Sequence, residues 1–318
     1  MTPTAAPTDD APRLFCFGLG YSARALVARL RTEEGLRLRQ SGASWSFAGT
    51  SRDQAGLQAI VDMGADAFVF NRDTGLPADA LAGASHVLVS IPPDEVGDVT
   101  ADRCGGALAA LPGLRWVGVL STTGVYGATG GATVDEAAPL APTSNRAHRR
   151  VAAEESWLAL HHGHGVPVHI FRLPGIYGPG RSALDRVRAN RAPLIEKPGH
   201  MFSRIHVDDI ANVLAASMAK PNPGAIYNVA DDEAAEPAAV TRLAYELLGR
   251  APPAPVAFAD AVKDMSPLQR SFWADNRQVS NARIKNELGV TLLYPTYREG
   301  LPAVRAVEEK AAVLAAET

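Results

Sequence analysis

The 318-residue chain has little of several residue types, and each shortage excludes a class of protein. Its two cysteines, Cys16 and Cys104, are too few for a disulfide framework. No cysteine–histidine set has zinc-ligand spacing, so we expect no metal. No run of about 18 apolar residues is present, and we expect no membrane partner. The 34 acidic residues outnumber the 31 basic ones, whereas nucleic-acid binders carry a basic surplus, so we expect no nucleic-acid partner.

The amino-terminal segment is Met1–Pro12, and it lacks both the basic and the apolar regions of a signal peptide. We therefore expect a cytoplasmic protein. Thr, Ala, Pro and Asp dominate this segment, which predicts a disordered tail over residues 1–12. In the whole chain, 47% of the residues are hydrophobic and 20% are charged, enough apolar content for a folded core.

Short apolar segments alternate with alanine-rich segments that are compatible with helices. Most of the short segments are continuously apolar, as in strands that are buried on both faces of a sheet. The predicted strands are Arg13–Phe17, Trp45–Gly49, Ala67–Phe70, His86–Ile91, Arg115–Leu120, Val168–Leu173 and Ala225–Val229. The predicted helices are Ser22–Arg31, Gln54–Met63, Thr100–Leu111, Ala147–His162 and Glu299–Ala316. This alternation predicts an α/β fold with a doubly wound, parallel, Rossmann-type sheet.

Two regions interrupt the alternation. Residues 179–205 and 250–275 are rich in proline and glycine and have the composition of loops. Loops of this kind, beyond the carboxyl ends of parallel strands, often form a substrate lobe. We therefore predict a dinucleotide-binding domain at 13–178 plus about 206–232, and a smaller substrate lobe at 179–205 plus about 233–318.

The first predicted strand leads directly into a glycine-rich turn, Gly18–Ala23, with the pattern G-x-G-x-x-A. Gly18 permits the tight turn, Gly20 lets the backbone approach a pyrophosphate, and Ala23 is small enough for the helix to pack on the strand. Tyr21 precedes a helix predicted to begin at Ser22, and the free N–H groups and partial positive charge of its amino terminus suit phosphates. The turn predicts a dinucleotide site.

The end of the second strand indicates which dinucleotide is bound. NAD sites usually place an acidic residue there to bind the ribose 2′-hydroxyl. This chain has Thr50, Ser51 and Arg52 instead, and Arg52 could bind a 2′-phosphate through charge-assisted hydrogen bonds. Asp53 follows and is predicted to cap the next helix. The pattern favours NADP over NAD.

Five later segments resemble those of extended short-chain dehydrogenases/reductases, the NAD(P)-dependent epimerase/dehydratase family. They are Leu120–Gly127, Arg172–Arg181, Arg204–Asp209, Tyr227–Val229 and Val279–Gly289. The resemblance implies an NAD(P)(H)-binding oxidoreductase, epimerase or dehydratase that acts on a small polar substrate. It also implies cofactor contacts from Ser90, Ile91, Pro92, Ser121, Pro174 and Gly175.

The family's chemistry uses a Ser/Thr and a Tyr-x-x-x-Lys pair. Thr122 matches the Ser/Thr position, but Arg146 stands at the Tyr position and Arg150 at the Lys position. The chain has only five lysines, and none follows a tyrosine by four residues. Because arginine stays protonated at neutral pH, it cannot deliver the proton that the tyrosine normally supplies.

Three interpretations remain open. In the first, another acid substitutes: Tyr177 is favoured over Tyr126 and His148. In the second, Arg146 and Arg150 bind an anionic group of the substrate, and hydride transfer needs only electrostatic help. In the third, the protein binds NADP(H) without turnover, as a sensor or scaffold. The sequence is compatible with a monomer or a homodimer.

Overall fold

A computed structural model describes residues 11–32 and 44–317, so the predicted tail lies almost wholly outside the described residues. Seven strands form a parallel sheet of the Rossmann type in the order β3-β2-β1-β4-β5-β6-β7. They are β1 Arg13–Phe17, β2 Ser46–Ser51, β3 Asp66–Val69, β4 His86–Val89, β5 Trp116–Thr122, β6 Val168–Leu173 and β7 Ile226–Asn228. The predicted fold class is confirmed.

The described helices are numbered along the chain. They are α1 Tyr21–Leu30, α2 Gln54–Asp62, α3 Val99–Ala109, α4 Asn145–His164, α5 Ala183–Arg188, α6 Val207–Ala219, α7 Pro237–Leu247, α8 Phe258–Ala261, α9 Pro267–Ala274, α10 Ala282–Leu288 and α11 Tyr297–Ala316. Two 3-10 segments occupy Thr123–Tyr126 and Val262–Asp264. No helix in the described ranges combines the length and apolar character needed to cross a bilayer.

The chain divides into two compact units. The first contains the described residues up to Leu120, together with Ala152–Phe171 and Ala211–Ile226. Its core includes Phe15, Phe17, Phe70 and Trp157, which are almost completely shielded from solvent. All residues of β4 and β6 are buried, as their mostly apolar sequences predict, and these include the polar residues His86, His169 and Arg172.

The second unit contains Ser121–Val151, Arg172–Ile210 and Tyr227–Thr318. Three pairs of short parallel strands lie in it: Thr133–Val134 with Gln278–Val279, Gly175–Tyr177 with Arg204–His206, and Ile195–Glu196 with Val256–Ala257. Residues 121–151 and 172–178 were expected in the dinucleotide-binding domain. They belong to the second unit because their strands pair with strands further along the chain.

The two regions predicted as loops contain regular structure, and that prediction was wrong in part. Helix α5 lies within 179–205, and α8 and α9 lie within 250–275. Ser182 accepts N–H bonds from Leu184 and Asp185, and the Asp185 carboxylate accepts one from the Ser182 amide. This capping box starts α5 in spite of the surrounding prolines and glycines.

Candidate functional site

The glycine turn after β1 is held in place by the tip of β2. Gly18 adopts φ +80°, in the region that glycine alone occupies readily. Its N–H donates to Thr50 Oγ1 at 2.8 Å, and the Leu19 N–H donates to the Thr50 carbonyl at 3.1 Å. Thr50 was expected to contact the cofactor. Its hydroxyl instead supports the turn, and its side chain is buried.

The end of β4 closes the other side of the turn. A Cβ at Gly18 would lie 2.9 Å from Ser90 Oγ and 3.0 Å from Ile91 Cγ1, so no larger residue fits. The Ser90 hydroxyl donates to the Gly18 carbonyl. Strands β1 and β4 are neighbours where the strand order reverses, the usual location of a ligand in a doubly wound sheet. Ser90 and Ile91 therefore shape the turn from this crevice.

Gly20 faces open space at the start of α1. It is exposed, and a Cβ built on it would meet no atom of the described residues within 4 Å. It occupies the N-cap position, where no side chain caps the helix. Behind it, Ala23 is fully buried and Ser22 nearly so, which brings α1 close to the sheet. Backbone N–H groups and the helix dipole thus offer a cradle for a pyrophosphate.

Gly49, in the middle of β2, also shapes the glycine turn, and this role was not predicted from the sequence. A Cβ at Gly49 would lie 2.6 Å from Leu19 Cδ1 and 2.7 Å from Leu19 Cβ. The turn can therefore pack on β2 only if residue 49 has no side chain. A glycine inside a strand often marks such a close approach, and this signal was present in the sequence.

Beyond Thr50, the residues at the tip of β2 have two roles. Two of them contact or cap α2, and the third is an exposed cation. The Ser51 side chain points toward α2, since a Cβ at Gly56 would lie 2.1 Å from Ser51 Oγ. Asp53 caps α2 by accepting the Gly56 N–H at 2.8 Å, as predicted. Arg52 is exposed. With Asp53 engaged in capping, Arg52 is the charged group of this tip that can reach a ligand.

Two other cofactor contacts expected in the first unit, Tyr21 and Pro92, are half-buried and exposed respectively. Three expected contacts belong to the second unit. Ser121 is buried, and Pro174 is half-buried. The Gly175 N–H already donates to the Ser203 carbonyl at 3.3 Å, so a cofactor contact through that N–H would have to share it.

Thr122 ends β5 within the second unit. It is half-buried, and its Oγ1 accepts the Gly124 N–H at 3.1 Å, which begins the 3-10 segment. A hydroxyl that accepts one hydrogen bond can still donate its own hydrogen in another. Thr122 can therefore donate to a substrate oxygen without giving up its structural bond.

The two candidate arginines lie one helical turn apart on α4. Arg146 is exposed and Arg150 is half-buried. Residues four apart on a helix share a face. His148 is also exposed, and its Nδ1 lies 3.0 Å from the Ser144 carbonyl at the start of this helix. Arg146 and Arg150 therefore lie on the same face of α4.

Tyr126 has a complete set of partners inside the second unit. Its hydroxyl donates to Asn228 Oδ1 at 2.8 Å and accepts from Arg172 Nη1 at 2.8 Å. The Arg172 guanidinium also lies 4.9 Å from the ring centre. Burial raises the pKa of the phenol above its ordinary value. These contacts give Tyr126 a structural role.

Tyr177, the favoured replacement acid, is buried against the start of α11. Its hydroxyl lies 3.5 Å from the Thr296 carbonyl, and its ring packs edge-on to His206 at 5.1 Å. A Cβ at Gly300 would lie 2.0 Å from the Tyr177 hydroxyl oxygen. Burial, together with Asp231 and Asp209, raises the pKa of this phenol far above its ordinary value. The enclosure of the hydroxyl by Thr296 and Gly300, together with the raised pKa, argues against the predicted acid role.

Replacing Tyr177 with phenylalanine should therefore change little. The substitution removes one long hydrogen bond, and we expect the free energy of unfolding to fall by about 1 kcal/mol or less. We expect any substrate-dependent oxidation of NADPH to keep its rate within about twofold. Urea unfolding and steady-state kinetics measure the two effects. A loss of turnover in a folded Tyr177→Phe protein would restore Tyr177 as the acid.

Arg277 is a cation close to Thr122, and it was not predicted from the sequence. Its Nη1 donates to the Gly127 carbonyl at 3.1 Å and to Asp275 Oδ2 at 2.7 Å. A Cβ at Gly124 would lie 3.7 Å from Arg277 Nη2 and 3.4 Å from Thr122 Oγ1. Nothing local in the sequence marks this arginine, because the pairing of Thr133–Val134 with Gln278–Val279 brings it there.

Comparisons with known proteins agree with this geometry. The model of the NAD dependent epimerase/dehydratase family matches residues 106–230. A solved structure of a conserved protein of unknown function from Silicibacter pomeroyi DSS is 45% identical and has a TM-score of 0.83, covering 93% of this chain and 99% of that one. Residues 106–230 therefore carry an NAD-dependent epimerase/dehydratase domain.

Two further known proteins are similar to this chain over most of its length. Protein YeeZ of Escherichia coli K12 is 28% identical over 293 residues, or 87% of this chain and 94% of YeeZ. The NAD complex of dTDP-glucose 4,6-dehydratase from Bacillus anthracis is 17% identical, with a TM-score of 0.74 over 94% of this chain and 97% of that one. At that identity, the likeness shows the fold alone.

Proposed function

We propose that the protein is an NADP(H)-dependent oxidoreductase of the epimerase/dehydratase family that acts on a small polar substrate without the family's Tyr-x-x-x-Lys pair. The observation that carries the cofactor part is the uncapped, open start of α1 at Gly20. The turn has the shape and polarity that a pyrophosphate requires, and a side chain at residue 20 would fill it.

The bound nicotinamide would supply or accept a hydride. The protein's own groups have to hold the substrate oxygen and stabilise the charge that develops on it. The Thr122 hydroxyl can donate a hydrogen bond to this oxygen, and the Arg277 guanidinium beside it adds a fixed positive charge. Arg146 and Arg150 can bind an anionic part of the substrate from α4. This division of tasks needs electrostatic stabilisation rather than a phenolic acid.

The cofactor preference rests on Arg52. It is exposed at the tip of β2, and the neighbouring Asp53 carboxylate is engaged with the Gly56 N–H. A free carboxylate at this tip would repel a 2′-phosphate, whereas a guanidinium forms charge-assisted hydrogen bonds with it. We therefore favour NADP over NAD.

Arg52→Ala should weaken NADPH binding about 10- to 100-fold and leave NADH binding nearly unchanged, since hydrogen bonds to charged groups contribute about 1.5–3 kcal/mol. Titration of nicotinamide fluorescence measures both dissociation constants. Arg242→Ala, at an exposed residue of α7, is the control for a general loss of positive charge. Equal losses for the two cofactors, or no loss for NADPH, would contradict the assignment.

The alternative function is a silent NADP-binding protein, which arginines at both the Tyr and the Lys positions favour. The two proposals differ in turnover. NADPH that binds, and is then oxidised on addition of a carbonyl substrate, supports the enzyme. NADPH that binds but that no carbonyl or sugar substrate oxidises supports the silent protein.

A further inference from the structure

We infer that Arg277 and Thr122 together form a subsite for a substrate carboxylate located next to the reacting carbonyl group. The inference rests on the proposed function, because it assigns a substrate class to the same enzyme. Both residues belong to the second unit. Thr122 Oγ1 and Arg277 Nη2 also both lie within 4 Å of the position that a Cβ at Gly124 would take, so the two groups are close to the same point.

The guanidinium is held in one orientation before any ligand binds. Nη1 uses its hydrogens on Gly127 and Asp275, and Thr143 Oγ1 donates to the other Asp275 oxygen at 2.7 Å. This leaves the edge of the fork that carries Nη2 directed toward Gly124. An arginine that is already oriented loses little side-chain entropy when it binds a ligand.

The backbone that precedes Arg277 is anchored through Asn276. The Asn276 carbonyl accepts the Thr129 N–H at 3.1 Å and the Gly131 N–H at 2.9 Å. The Asn276 side chain accepts the Met201 N–H at 3.0 Å and donates to the Gly199 carbonyl at 2.9 Å. Four hydrogen bonds thus fix the residue before Arg277, which keeps the guanidinium over Gly124.

The charges around Arg277 indicate the class of anion. Asp275 already neutralises part of the guanidinium charge, so a dianionic phosphate would be repelled more strongly than a singly charged carboxylate. The remaining edge of the fork is planar and matches the two oxygens of a carboxylate. Because Thr122 Oγ1 and Arg277 Nη2 lie close to the same point beside Gly124, a ligand that contacts both carries its carboxylate and its carbonyl close together. A 2-oxo or 2-hydroxy acid satisfies this requirement.

Oxamate, oxamide and inorganic phosphate test the inference. Oxamate carries a carboxylate next to a carbonyl carbon, and oxamide is its uncharged counterpart. We expect oxamate to bind the NADPH-loaded protein with a millimolar dissociation constant in calorimetry, and oxamide and phosphate to bind at least about tenfold more weakly. Oxamate affinity should fall at least about tenfold in Arg277→Gln and in Gly124→Ala.

The two variants separate binding from folding. Arg277→Gln loses structural bonds and could unfold, whereas Gly124→Ala keeps Arg277 and places a methyl group between it and Thr122. Arg242→Gln, which removes an exposed ion pair with Glu196, is the matched control and should bind oxamate normally. Equal oxamate affinity in wild type and folded Gly124→Ala would overturn the inference.

Two other outcomes would also overturn it: phosphate that binds as tightly as oxamate, and oxamate that does not bind at tens of millimolar. NADPH affinity, measured separately, distinguishes these results from failure of the proposed function. If NADPH binds and oxamate does not, only the substrate class is wrong. If NADPH itself does not bind, the proposed function fails.

Discussion

Gly20→Val should lower the affinity for NADPH at least about 100-fold while the protein stays folded, a loss of about 2.7 kcal/mol or more in binding free energy. The reason is the open space at this residue. A Cβ meets no protein atom within 4 Å, so the valine side chain fits the folded protein but fills the cradle in front of α1. NADH should lose affinity by the same factor, because both cofactors carry the pyrophosphate.

The folded state should be affected only slightly. Gly20 has φ −91° and ψ −158°, extended backbone that valine adopts readily. The remaining cost is a poorer N-cap, about 1 kcal/mol. Urea unfolding checks this cost, and fluorescence titration gives the affinities. Gly163→Val, at a residue of α4 that is equally open, is the matched control and should bind NADPH normally. NADPH affinity within threefold of wild type in Gly20→Val would remove the main support for the proposed cofactor site.

Acidification should destabilise the first unit through two buried histidines. His86 lies between Trp45 and Trp116, with ring centres 5.0 Å and 6.5 Å away, and His169 stacks on Trp116 at 5.9 Å. Burial, aided by Arg115, lowers the pKa of His86 to about 3. Burial, aided by His161 and opposed by hydrogen bonds, lowers the pKa of His169 to about 4.

The direction in which stability changes with pH follows from the number of protons that each state binds. In the unfolded chain both histidines titrate near 6.5, so below that pH the unfolded state binds more protons and the stability of the folded state falls. The loss begins near pH 6.5 and is complete once the pH is below the folded pKa values. At pH 4.5, about two pH units below the unfolded value, each histidine should cost about 2–3 kcal/mol.

Comparing the stability of wild type and of a variant at two pH values isolates the contribution of His86. Asp231 acts in the opposite direction, because burial raises its pKa to about 8 and stability rises as the pH falls from 8 towards 4. We therefore compare wild type with His86→Phe, which keeps an aromatic ring between Trp45 and Trp116. The wild type should lose about 2–3 kcal/mol more than the variant between pH 7 and 4.5 in urea unfolding. The exposed His148→Phe is the control and should follow the wild type; identical pH profiles for wild type and His86→Phe would show that His86 is not held neutral.

Much of the fold could be predicted because it depends on local patterns. Two of the seven predicted sheet strands, Arg13–Phe17 and Val168–Leu173, agree with the structure at both ends. The others differ by one to two residues at their ends. Strands that are buried on both faces are mostly apolar along their whole length, so their sequences mark them clearly. The capping box of α5 was overlooked because its region is rich in proline and glycine.

The geometry of the glycine turn, where we propose that the cofactor binds, was also largely predictable, since it is built from one continuous segment. The pattern of Gly18, Gly20 and Ala23 describes backbone geometry directly, because each position restricts the size of the side chain. What the sequence did not show is that the Thr50 and Ser90 hydroxyls support this turn. Those contacts join residues 32 and 72 positions apart.

By itself, the amino-acid sequence determined the class of fold, the glycine turn after β1 and the fact that no lysine follows a tyrosine by four residues. These features are properties of neighbouring residues and of apolar periodicity. Only the tertiary structure decided that Tyr177 packs beneath α11 and that Arg277 lies beside Thr122. The physical reason is that burial and charge depend on residues far away in the chain: Gly300 and Thr296 enclose the Tyr177 phenol, and the Asp275 carboxylate and the Gly127 carbonyl orient the Arg277 guanidinium.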